Sequence, residues 1–362
     1  MTESRISPDS LSVSRSPRWV AVGIVIGLLA LVLIIVASDA DALYRAVGNV
    51  RPDRLVWPAL CTAGSYAAMA MSYQRIAAAA GLELKFGEMM RLTLASTAIN
   101  YIFSTGGLSG LAARSYYFSQ QRGLSTGTVS ISLAQTFLTN FVIFAFLFWG
   151  LLNLLVYDPM SGPSQAIVGF LFLISLCLCL AAAVVGSRGA RLRLSAFLMR
   201  LPHFFSRVFH TREQSIRERL VFFEEELHEG IDFLISRGTR MVGPFLYIAL
   251  DWFLMLATLY TAFHCVGHPV PMHIVIIGFS TGVFLSLVNL VPGGLGIMEG
   301  SMAAVFAALD VPLEPAVVAT LIFRVSYYIL PLLLTLLFCR QLFAAGRRQL
   351  ATTTPGTEPS TR

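Results

Sequence analysis

Four charged residues stand inside otherwise apolar stretches of this 362-residue sequence: Arg114, Asp251, Glu299 and Arg324. A charge at the centre of a membrane helix costs about 2.5–3.5 kcal/mol on insertion scales, so residues of this kind persist where they pair or bind something. Two arginines and two carboxylates allow two chemistries. Either they close on one another as two neutral sets, or Arg114 and Arg324 present guanidinium forks to a phosphate while Asp251 and Glu299 hold or gate them. A glycine-rich turn precedes each site: Ser104-Thr105-Gly106-Gly107-Leu108-Ser109-Gly110 ahead of Arg114, and Val291-Pro292-Gly293-Gly294-Leu295-Gly296 ahead of Glu299. A helix that starts after such a turn aims unpaired amides and the positive end of its dipole into the space in front of it, which favours an anion. Asn100 and Asn289, with Asn140 and Gln135, either line the same cleft or make interhelical hydrogen bonds. The candidate substrate-binding set is Arg114, Arg324, Glu299, Asp251, Gly106, Gly107, Gly293, Gly294, Asn100 and Asn289.

Other chemistries find little to work with. The sequence has no Gly-x-Ser-x-Gly, no His-Glu-x-x-His and no Asp-rich pair for diphosphate-metal chemistry. His264 and His268 have the i, i+4 spacing of metal ligands, but no carboxylate stands beside them. The 26 basic residues include a single lysine, Lys85, and the five cysteines fall in or beside apolar runs, where they read as small hydrophobes. The expectation is a protein that is not an enzyme and needs neither cofactor nor metal.

The elements that must position these charges follow from composition. Hydrophobic residues make up 56% of the chain and charged ones 13%, against roughly 45–50% and about 25% in an ordinary soluble domain. Apolar runs of about 20 residues, each long enough for roughly 30 Å of hydrocarbon, point to an all-α polytopic membrane protein. The net charge of +6 does not indicate a nucleic-acid partner, because the basic residues lie between the apolar runs, where topology requires them. Full spans are expected near 19–38, 55–78, 128–157, 164–187, 244–265 and 316–339. Residues 19–38 read as an uncleaved anchor, being longer than a signal peptide's apolar core. The stretches 88–120 and 273–309 are broken by the glycine turns. Irregular backbone at membrane depth needs protein or a water-filled cavity around it, so both read as re-entrant hairpins.

Charge distribution then sets orientation, since cytoplasmic loops carry the Arg and Lys excess. With both termini cytoplasmic, ten arginines between Arg188 and Arg240 fall inside, and loops 158–163, 266–272 and 310–315 carry none outside. This works only if each broken stretch returns to the side it entered from. Gly106-Gly107-Leu108 recurs as Gly293-Gly294-Leu295, Pro58 as Pro244 and Gly81 as Gly267, at offsets of 186–187. The fold expected is therefore two inverted repeats, each span-span-re-entrant hairpin-span, over 19–157 and 158–343, with tails at 1–18 and 344–362. The amphipathic insert 188–240 either lies on anionic lipid in the headgroup plane or serves as a solvated connector. Inverted repeats with broken helices suit a transporter site at the repeat interface.

The run Leu290-Val291-Pro292-Gly293-Gly294-Leu295-Gly296-Ile297-Met298-Glu299-Gly300, followed by Arg324 and accompanied by Gly106 to Arg114, resembles the membrane domain of lysylphosphatidylglycerol synthases and related flippase-like proteins. The likeness covers residues 19–343; at the first turn, Thr105 and Ser109 depart from a Pro-Gly-Arg-like pattern. It implies movement of a phospholipid, or of a lipid-linked glycan or aminoacyl lipid, between leaflets of the cytoplasmic membrane. Full-length synthases add a soluble aminoacyl transferase domain, whereas this sequence closes in a 19-residue tail, so synthesis of the lipid itself is not expected. The alternative is a non-transporting subunit that positions a cell-envelope glycosyl- or aminoacyl-transferase through 188–240. A homo-oligomer is compatible with either.

Overall fold

The computed structural model describes residues 39–103, 110, 113–114, 128–157, 232–233, 236–288 and 296–336. The expected spans 19–38 and 164–187, both tails, most of the insert 188–240 and the glycine turns with Gly106, Gly107, Gly293, Gly294 and Asn289 lie outside these residues.

The described chain is helical, with no strand among its residues. Helix α1 (Ala40–Gly48) is capped by Asp39, whose carboxylate accepts from the amides of Asp41 at 2.9 Å and Ala42 at 3.4 Å. There follow α2 (Val56–Ala79), α3 (Phe86–Phe103), α4 (Thr128–Tyr157), α5 (Val242–Cys265), α6 (Met272–Val288), α7 (Ile297–Ala308) and α8 (Leu313–Arg324). Helix α8 runs on through a π-helical turn, Val325–Ile329, and remains helical to residue 336.

Among the described residues three helical segments are long and apolar enough to cross a membrane: Ile131–Val156, Gly238–Cys265 and Leu313–Leu336, of 26, 28 and 24 residues. The expected span at 55–78 differs. Helix α2 has 24 residues, but Thr62, Ser65, Tyr66, Ser72 and Tyr73 make it less apolar, and all five are buried against neighbouring helices rather than turned to lipid.

Two antiparallel pairs organise the interior. Helices α2 and α5 lie side by side, with Ser65 against Asp251 and the Ser72 hydroxyl donating to the Pro244 carbonyl at 3.2 Å. As the number rises on one helix it falls on the other. Their boundaries are displaced by 186 positions (56 to 242, 79 to 265), each follows a 3₁₀ turn, and each is followed by a glycine in the left-handed region, Gly81 at φ 88° and Gly267 at φ 77°. Helices α6 and α7 form the second pair. Gly278 faces the Phe306 ring and Gly282 faces Met302, so closely that a Cβ on either glycine would overlap the opposing side chain. Small residues that let two helices approach are the usual device for packing in lipid, where burial from water contributes little.

The core joins α4 to α8 around Phe263, Phe279, Phe306 and Phe323, all fully buried. Phe146 meets Trp149, Phe253 and Phe279 edge-on, at centroid distances of 5.7, 5.1 and 5.9 Å. Outward faces are apolar as well: Leu152, Leu155, Leu246, Leu250, Leu333 and Leu336 are exposed, a surface suited to hydrocarbon. At one end the connections lock together: the Arg51 amide donates to the Cys265 carbonyl at 2.9 Å, Arg54 donates to the His264 carbonyl at 3.2 Å, and the Asp39 amide donates to Glu314 at 3.3 Å.

Candidate functional site

Helix α7 starts at Gly296, whose φ of 77° is open to glycine at no steric cost. Glu299 falls in its first turn, where the helix dipole favours a negative charge. Its carboxylate Oε1 lies 3.0 Å from Nε of Arg324, the last residue of α8, and both side chains are 5% exposed. The guanidinium stacks over the Tyr328 ring at 4.4 Å, one turn further along the same helix, and its Nη1 meets Met298 Sδ at 3.4 Å. The Tyr328 hydroxyl points to the same sulfur at 3.5 Å. The second carboxylate oxygen, Glu299 Oε2, is buried with no hydrogen-bond partner among the described residues.

Arg114 and Asp251 do not form the other neutral set. Arg114 lies over the Tyr73 ring at 4.6 Å and donates from Nη1 to Ser96 Oγ at 3.2 Å, while its buried Nε has no hydrogen-bond partner among the described residues. Gly110 makes room for it, since a Cβ there would stand 3.0 Å from the Ser96 carbonyl oxygen and 3.4 Å from the Asn100 Cβ. Asn100 is thereby placed beside the Arg114 site. Asp251 accepts from Ser65 Oγ and from the Tyr327 hydroxyl at 3.3 Å, and Ser65 Oγ is itself 3.1 Å from that hydroxyl. The Tyr66 hydroxyl donates to the Tyr327 carbonyl at 3.2 Å. Gln135 sits elsewhere, accepting from Ser72 at 2.7 Å as an interhelical bond, and Asn140 is exposed.

Tyrosines join these sites. Tyr101 on α3 packs on Tyr328 at 4.6 Å between centroids, and Tyr66 on α2 packs on Tyr327 at 5.6 Å. Ser96 and Tyr101 are five residues apart on α3, about 7.5 Å along the axis, so one helix touches both the Arg114 anchor and the Tyr328 platform. Tyr73, Tyr101, Tyr327, Tyr328, Ser65 and Ser96 were not singled out from sequence. The available signal was the Ser326-Tyr327-Tyr328 run just after Arg324, at the i+3 and i+4 spacing that shares a helix face.

Comparison with known proteins gives the family. The family model described as the lysylphosphatidylglycerol synthase transmembrane region matches residues 20–335, which includes all four charges. The chain belongs to that family. Three relatives of this lysylphosphatidylglycerol synthase transmembrane-region protein carry the name UPF0104 membrane protein. One from Methanothermobacter thermautotrophicus is 27% identical over 263 residues, 70% of this chain and 73% of the relative. A second from the same organism is 20% identical over 317 residues, 86% and 92% of the two chains. One from Pyrococcus horikoshii is 27% identical over 165 residues, covering 44% and 49%. The protein is thus a helical membrane protein of this family, and the Gly296–Glu299 turn, Arg324 and Arg114 all lie within the matched region.

Proposed function

We propose that this protein moves a phospholipid or lipid-linked substrate between the leaflets of the cytoplasmic membrane. The observation that carries the reading is the Glu299–Arg324 pair, buried on a tyrosine platform yet left with a carboxylate oxygen that no described residue partners. A buried pair that served packing alone is stable when its remaining lone pairs and protons are also satisfied. Here Glu299 keeps an open acceptor and Arg114 an open donor, groups suited to the charges of a lipid headgroup. The headgroup would meet Arg324, Arg114 and the first turn of α7 while its acyl chains stay in the bilayer. A fixed polar path lowers the cost of carrying a charged head through hydrocarbon, and no covalent step is needed.

The architecture supports the reading in two ways. At 17 and 12 residues, α6 and α7 reach about 25 Å and 18 Å, short of the roughly 30 Å hydrocarbon core, as the arms of a re-entrant hairpin would be. Helices α2 and α5, matched at an offset of 186 and antiparallel, are related as equivalent elements of inverted repeats would be. The test is leaflet exchange of fluorescent phosphatidylglycerol, its aminoacylated form and a polyprenyl phosphate in liposomes holding the purified protein. Exchange is expected for at least one lipid and is lost in Arg324→Ala and Glu299→Ala proteins that remain folded. No exchange of any lipid by the folded wild type, or full exchange by both variants, refutes the reading.

A further inference from the structure

Asp251 is the one of the four charges that meets neither an opposite charge nor an aromatic face among the described residues. It lies near the middle of α5, 5% exposed, and its contacts are the hydroxyls of Ser65 on α2 and Tyr327 on the π turn. The groups around it are Ser65, Tyr66 and Tyr73 from α2, Tyr101 from α3, and Tyr327 from the π turn. Of the charged groups on packed elements, Arg324 on α8 is bound to Glu299. Asp53 and Arg54 lie in the turn before α2 and Arg75 near the far end of α2; Arg240, His264 and His273 lie at or beyond the ends of α5 or α6, and Cys61 stands one turn from Ser65 on α2. Helix α4 has no titratable residue between Ile131 and Val156. A carboxylate withdrawn from water without a cation is neutralised by binding a proton.

We propose that Asp251 is a proton-binding site tied through the π turn to the headgroup cluster, so that lipid movement is linked to proton movement. The linkage part rests on the translocation reading; the site itself does not. Hydrogen count gives the mechanism. Ionised, Asp251 accepts the protons of both Ser65 and Tyr327 and draws α2, α5 and the π turn together. Once a proton from the aqueous phase occupies the carboxyl, that group becomes a donor with a neutral acceptor oxygen: both hydroxyl bonds lose the strength the ionised carboxylate gave them, and a hydroxyl that accepts the new proton turns its own hydrogen elsewhere. Tyr327 is adjacent to Tyr328, the ring on which Arg324 rests, so proton binding and release reach the guanidinium within one turn. No covalent bond other than the O–H bond forms or breaks, and the proton leaves to water when the tie reforms.

The test uses the full chain in liposomes. Infrared difference spectra between acid and alkaline buffer should contain a protonated-carboxyl band that Asp251→Asn lacks. Luminal pyranine should report proton movement during lipid exchange. At one proton per lipid, a gradient of one pH unit drives up to about a tenfold lipid asymmetry. Asp251→Asn is expected to lose the proton signal and the pH dependence of whatever exchange remains, and Tyr327→Phe to displace the pH profile. Identical spectra for wild type and Asp251→Asn, exchange indifferent to pH, or a requirement for sodium in place of a proton gradient overturns the proposal. A titrating band in a protein that moves no lipid supports the proton site and refutes translocation.

Discussion

Breaking the Glu299–Arg324 pair from one side and then from both separates its structural from its functional role. At 3.0 Å, unit charges at an effective dielectric constant of 20 attract by about 5–6 kcal/mol before desolvation is counted. Desolvation cancels much of that, so the pair's net worth is small while the cost of orphaning one member is large, about 3–5 kcal/mol. Arg324→Met strands Glu299 beside Met298 and also removes the stacking on Tyr328, worth about 2 kcal/mol where water is excluded. Glu299→Gln strands the guanidinium but leaves that stacking in place. The double variant strands neither charge. Denaturant titration in detergent micelles should find Arg324→Met the less stable single variant, about 2 kcal/mol below Glu299→Gln and at least about 5 kcal/mol below the wild type, and the double variant less destabilised than that. Lipid exchange should stay absent in all three. Additive losses in the double variant would refute the coupling drawn from the geometry, and recovery of exchange with stability would reduce the pair to packing.

Two further outcomes follow from close contacts. Gly278→Leu forces a side chain into the Phe306 ring, and overpacking of this kind costs about 1–3 kcal/mol; Phe306→Ala in the same chain should recover part of the loss in the same titration, whereas Gly243→Leu, where nothing stands within 4 Å, should cost little. Tyr73→Leu removes the ring beneath Arg114 and should slow lipid exchange by about tenfold or more, the equivalent of losing a cation–π contact of about 2 kcal/mol, while Tyr73→Phe keeps most of the rate; equal rates for the two would sink the assignment.

The charges themselves were legible because each interrupts an apolar run. Their partners were less so. Joining Glu299 to Arg324 takes a reversal between α7 and α8, where Asp310 adopts a φ of 61°, and no local pattern announces a non-glycine residue in that conformation. Of the two chemistries that the four charges allowed, closure into two neutral sets is met by Glu299 with Arg324 alone. It failed for Arg114 and Asp251 because an aromatic face and hydroxyl groups serve as partners equally well, and tyrosine and serine inside apolar helices look like ordinary packing residues. The close approach at Gly278 and Gly282 was readable from small residues four apart. The length of α2 was readable too, but its interior position was not, because buried serines and tyrosines weaken the hydropathy signal without ending the helix.

The π turn at Val325–Ile329 gives the two clusters a common gear. A turn with i→i+5 bonding holds one residue more than an α turn, and one residue of helix is about 100° of rotation. Two neighbours in sequence serve the two clusters, their rings in edge contact at 5.3 Å: Tyr327 reaches Asp251 between α2 and α5, while Tyr328 lies beneath Arg324 and beside Tyr101. Were that extra residue taken up into α geometry, residues 330–336 would turn against α8 by about 100°. Tyr327 and Tyr328 stand within the turn itself, so the same change of winding would shift the Asp251 contact and the Arg324 contact together.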